Sequence, residues 1–213
     1  MHIMPAIHKK QTARRCSAPY SRGVSAPSTE QANTINIARH GDVIFVVGDQ
    51  KQRLCVSSHL MREASDVFNA LFSSNFKEGQ NLGVGAPKEI PLIEDDPAAI
   101  LLLCQIIHLK NDSVPENLEP ELCFQVAKMV DKYGLHQTVA FAADHWFSIS
   151  NWTSDDDIND QEGIRWMLYL CAADLMDHEE GFSNISKVLI QYYGGHYHDL
   201  VMYDDDTNWR TIC

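Results

Sequence analysis

Ser57-Ser58-His59-Leu60-Met61-Arg62-Glu63-Ala64-Ser65-Asp66-Val67-Phe68-Asn69-Ala70-Leu71-Phe72 is the stretch whose reading decides the fold. Ser57 or Ser58 is placed to cap a first helix, because a hydroxyl accepts from an unpaired N–H of the opening turn. Asp66 is placed to do the same for a second helix, with Val67, Phe68, Leu71 and Phe72 as its apolar face. Upstream, Val43-Ile44-Phe45-Val46-Val47 is an unbroken apolar run ended by Gly48-Asp49, which predicts a strand buried on both faces. Gly48-Asp49-Gln50-Lys51 supplies turn chemistry and Arg53-Leu54-Cys55-Val56 returns as a second strand, so the two form an antiparallel hairpin.

Downstream, Glu89-Ile90-Pro91-Leu92 reads as a short strand whose proline lacks an N–H and so belongs at a sheet edge or strand end. Asp96-Pro97-Ala98 opens a helix with an acceptor cap and a proline at the first helical position. Ile100 to Leu103 with Ile106 and Ile107 make that helix apolar nearly all round, which predicts a central position. Pro120 starts another helix, striped by Leu122, Val126, Met129, Val130 and Tyr133 and stopped by Gly134; Leu135 to Ser148 continues as a further helix. Strands followed by a helix cluster indicate an α+β domain.

Taken in order, Asp42 to Val47, Leu54 to Phe72, Lys88-Glu89-Ile90-Pro91-Leu92 with Asp95-Asp96-Pro97, and Asp131-Lys132-Tyr133 resemble a BTB/POZ domain, most closely the fungal variety. The likeness covers about residues 35–147 and implies a small, mainly antiparallel sheet flanked by helices, in a domain of residues 35–150 that holds other proteins. Two positions differ from many animal members: Ser57 stands where histidine is common, and Asp66 where proline is common. Phe76-Lys77-Glu78 is similar to the hydrophobic-x-Glu motif by which some members dock a cullin ubiquitin-ligase scaffold, which makes these three the candidate interaction residues. The alternative for Phe76 is closure over the domain's own core. Only Thr34-Ile35-Asn36-Ile37 precedes the core as a strand, with no amphipathic helix before it, which argues against the swapped dimer of animal members. Self-association through another surface stays open.

The 213 residues, 45% hydrophobic, suffice for one packed domain with an appendage. The formal charge is −12, unevenly spread: Lys9, Lys10, Arg14, Arg15 and Arg22 are the only charges before Glu30, so the first 29 residues carry +5 and the remainder −17. An acidic body repels nucleic-acid phosphates. The basic arm, residues 1–34, has the composition of a disordered segment. Its Arg- and Ser-rich start has some character of a mitochondrial transit peptide, but Pro5, Pro19 and Pro27 interrupt it, leaving cytoplasm or nucleus as the expected location. No apolar run reaches membrane-spanning length. Cys16, Cys55, Cys104, Cys123, Cys171 and Cys213 are widely spaced, mostly within apolar runs, and read as reduced core residues.

Beyond Phe147, an acidic linker (151–161) leads to a helical extension (162–193) and a polar acidic tail (194–213). Ile164, Met167, Leu168, Cys171 and Leu175 form one stripe; Phe182, Ile185, Val188, Leu189 and Tyr192 form another. Such a pair either packs on the domain or protrudes to receive a partner. His196-Tyr197-His198-Asp199 with Asp204-Asp205-Asp206 groups metal-ligand types, and a metal-dependent enzyme using this tail is the reading from another class. Gly83-Val84-Gly85-Ala86-Pro87 is not followed by the Lys-Ser/Thr of a phosphate cradle, and there is no Gly-x-Ser-x-Gly elbow. The sequence therefore predicts a non-enzymatic interaction module without cofactor or metal, engaging protein partners through residues 76–78 and the exposed faces of the first helices. Its narrower form is a cullin-ligase substrate adaptor.

Overall fold

The chain is described by a computed structural model over residues 33–80, 82, 86–148 and 159–196. The apolar run folds as strand β2 (Val43–Val47) and pairs antiparallel with β3 (Gln52–Val56), in the register Val43↔Val56, Phe45↔Leu54 and Val47↔Gln52. Val43, Phe45 and Val47 are fully buried, whereas Ile44 and Val46 are only half-buried, so the strand has one wholly buried face rather than two. Strand β1 (Thr34–Asn36) lies parallel to β3, and β4 (Lys88–Leu92) lies parallel to β2, giving the order β1-β3-β2-β4.

The expected mainly antiparallel sheet is thus corrected: the hairpin is antiparallel and both outer pairings are parallel. The hairpin rule reads only strands adjacent in sequence. The chain from β2 to β4 crosses over through two helices, the kind of long connection a parallel pair requires. Pro91 sits on β4 at the sheet edge, where its missing N–H costs no ladder bond.

Helices α1 (Ser58–Ala64) and α2 (Asp66–Leu71) follow the hairpin. Their caps differ from the expectation. Ser57 makes no side-chain cap; its N–H donates to His108 Nε2 (2.9 Å), and the Asp42 carboxylate accepts from the Ser58 N–H (2.8 Å) and hydroxyl (2.6 Å). A cap can come from a residue distant in sequence, which spacing does not reveal. In α2 the cap is Ser65, one residue before Asp66: its hydroxyl accepts from Phe68 N–H (3.1 Å) and donates to the Tyr133 carbonyl (2.5 Å).

Helix α3 (Pro97–Ile107) is capped by Asp96, which accepts from Ala99 N–H at 2.8 Å, and buries Ala99, Ile100, Leu102, Leu103, Cys104 and Ile107, as its all-round apolar character requires. Helix α4 (Pro120–Tyr133) ends at Gly134, whose φ of 61° is the left-handed conformation a glycine adopts without strain. Helix α5 (His136–Trp146) follows. Phe45, Phe68, Phe72 and Tyr133 stack with centroids 4.5–6.3 Å apart, joining sheet to helices. Beside them the buried Asp95 carboxylate accepts from Lys132 Nζ (2.5 Å) and from the Tyr133 hydroxyl. Burial first, then Asp95, pushes the Tyr133 phenol well above its ordinary pKa.

Helices α6 (Asp160–Leu175) and α7 (Glu179–Tyr192) do not protrude. α6 packs on α4 with Ala172, Ala173 and Met176 in the common core, and Tyr169 donates to the Leu118 carbonyl at 2.5 Å. Through the hydrogen bond from His178 to Asp144 (3.0 Å) and the ring contact of His178 with Phe147, the start of α7 is fixed to α5. The acidic stretch 151–158 and the basic arm to residue 32 lie outside the described residues.

Candidate protein-interaction site

The Phe76–Glu78 loop begins where α2 ends. Phe72 closes the helix, and the Arg62 guanidinium, reaching from α1, donates to the Phe72 carbonyl and lies over its ring. The chain then folds back twice: Phe76 N–H donates to Ser73 C=O (3.2 Å), and Gly79 N–H donates to Phe76 C=O (3.1 Å), closing a single 3-10 turn over Lys77–Gly79. Lys88, at the start of β4, clamps this turn by donating from Nζ to the carbonyls of Lys77 and Gln80, the latter at 2.9 Å.

Gly79 makes the geometry feasible. A Cβ at this position would run into the carbonyl of Ser73, so the loop's two limbs touch backbone to backbone. The outcome for the candidate residues is definite. Phe76 is 51% exposed and does not close over the core; Lys77 is exposed and Glu78 half-buried beside it. The hydrogen-bonded turn fixes the backbone that carries the Phe76 ring, so little loop entropy would be lost were the ring contacted.

A second feature was not evident from sequence. An apolar groove of about 600 Å³ runs between α1, the C-terminal end of α3 with its following loop, and α5. Its walls are tied together by Thr138, which donates to the Ala64 carbonyl (3.0 Å), and by the Trp146 indole, which donates to the Pro115 carbonyl (3.1 Å). Leu60, Leu109 and Phe141 line it while remaining exposed, Phe141 by 89%. The readable signal was Phe141 itself, which falls off the buried stripe Val139–Ala143–Trp146 of its helix.

The described residues contain no group of three His, Cys, Asp or Glu side chains able to hold a metal ion, and the tail beyond His196 lies outside them. Cys104 and Cys123 have their thiols pushed up to about 12 by burial, so they are inert core residues at neutral pH. Cys55 is buried and likewise raised, and Cys171 is half-buried. None of the described helices is long and apolar enough to cross a membrane. Compared with known proteins, the chain matches no family model and no curated sequence.

Proposed function

We propose that this chain is a non-enzymatic protein–protein interaction module of the BTB/POZ type, working by self-association or partner recruitment. The observation that carries the reading is Phe76: a large apolar side chain presented to solvent by a turn that four backbone carbonyls and the Lys88 ammonium stabilise. The element series of hairpin, helix pair, edge strand and helix cluster supports it, because it runs through the same residues that carry the likeness. A cullin-ligase adaptor is the narrower reading, favoured by the placement of Glu78 two residues from the exposed Phe76 on one rigid turn.

The test is affinity capture from the native cell, with particle size read by light scattering, for the full chain and for Phe76→Ala. The reading expects a defined complex or oligomer that Phe76→Ala weakens at least tenfold at unchanged thermal stability. A solitary monomer that retains nothing contradicts it. Titration with a purified cullin N-terminal domain decides the narrower form: binding indifferent to Phe76→Ala, or no binding, removes it.

A further inference from the structure

The groove between α1, α3 and α5 points to an occupant of definite chemistry. Three of the described helices end in the same way: a residue in left-handed conformation follows the last turn, and two backbone bonds close back onto the helix. After α4 that residue is Gly134, after α6 it is Asp177 (φ 54°), and after α3 it is Leu109 (φ 58°). At the end of α3, Leu109 N–H donates to Ile106 C=O (3.0 Å) and Lys110 N–H to Gln105 C=O (2.8 Å). Glycine is the ordinary residue at this position, because a Cβ there meets the neighbouring carbonyl at a cost of about 1–2 kcal/mol. A leucine is therefore disfavoured twice at this point. It strains the backbone, and it holds a large apolar side chain 79% exposed at the groove's rim.

Charge defines what the groove would accept. Glu63 and Glu116 line it and are exposed, without an ion pair among the described residues, and no Lys or Arg lines it. The chain beyond residue 29 carries −17, so the body of a second copy would bring like charge to the same place. The backbone is equally informative. The main walls are helices, whose N–H and C=O groups are already paired internally, so they offer no ladder to an extended chain. A helix, which pairs its own backbone internally, suits such walls.

We propose that this groove receives an amphipathic helix of a partner protein, its apolar stripe set against Leu60, Leu109, Phe141 and Trp146 and its flanking Lys or Arg side chains against Glu63 and Glu116. The proposal rests on the reading of the chain as an interaction module but uses a surface that residues 76–78 do not line.

The experiment titrates the full chain with two labelled synthetic helical peptides that share one leucine stripe, at i, i+3, i+4 and i+7. One is flanked by Lys and Arg, the other by Glu. The basic peptide binds saturably and at least tenfold tighter than the acidic one, and Glu63→Lys with Glu116→Lys inverts that preference. Leu109→Gly with Phe141→Ser keeps every charge, relieves the strained turn and removes the apolar rim. This variant loses binding tenfold or more while its melting temperature is unchanged or higher. Equal binding of both peptides, or binding that survives Leu109→Gly with Phe141→Ser, overturns the proposal. So does a concentration-dependent dimer abolished by Phe141→Ser, which would make a second copy the occupant. Phe76→Ala leaves peptide binding intact, so failure of the groove and failure of the Phe76 loop are read separately.

Discussion

His108 joins two helix ends. Its Nδ1 faces the Cys104 carbonyl at 2.7 Å and therefore carries the proton, which leaves Nε2 to accept from Ser57 N–H at 2.9 Å. A protonated imidazole could not accept that bond. Burial lowers the His108 pKa below its ordinary 6.5, only partly countered by the Cys104 carbonyl. The folded state thus binds fewer protons than the unfolded one at this site. The stabilisation is complete above about pH 6.5 and is lost progressively as pH falls from there towards the lower folded-state value. Thermal melts between pH 7.5 and 5.5 should show the loss, and His108→Gln, which offers both an acceptor and a donor without titrating, should flatten the profile. Identical slopes in the two proteins would contradict this role. At neutral pH, His108→Ala should cost about 1–3 kcal/mol, because the Ser57 N–H is left without its acceptor.

The loop from Phe72 to Gln80 is the element on which the proposed recognition depends, and Gly79 decides its shape. Gly79→Ala forces the Phe72–Ser73 limb and the 3-10 turn apart, which redirects Phe76. Circular dichroism should be unchanged and stability should fall by about 1–2 kcal/mol, while partner capture falls as far as in Phe76→Ala. Capture at the native level would show that the turn does not set the presentation of Phe76. Elements governed by local chemistry were legible in the sequence: the β2–β3 hairpin, the Asp96-Pro97 start of α3, the Gly134 stop of α4 and the edge position of Pro91. The caps of α1 were not, because Asp42 and His108 arrive from the residue before β2 and from the C-terminal end of α3. The parallel pairings of β1 and β4 escaped for a related reason. Alternation and turn residues mark a strand but do not identify a partner brought back by a crossover.

At the scale of the molecule, the described residues share one core that runs from the sheet through α3 and α4 to α6 and α7. The apolar stripes on the last two helices showed that they must bury a face, and the structure shows that α4 supplies the partner surface for α6 and α6 that for α7. The candidate site was partly legible. The sequence named residues 76–78, but whether Phe76 pointed inward or outward depended on Gly79 and Lys88, whose roles arise only in three dimensions. The groove was hidden because its lining comes from segments separated by the length of the domain. The central claim is that this molecule acts by being bound at a preformed apolar anchor. Its most direct test is photocrosslinking in the native cell with p-benzoylphenylalanine replacing Phe76, alongside a control with the same probe replacing Gln50 on the hairpin turn. The account predicts a discrete heavier adduct from position 76 and none from position 50. No adduct from position 76, or the same adducts from both positions, would contradict it.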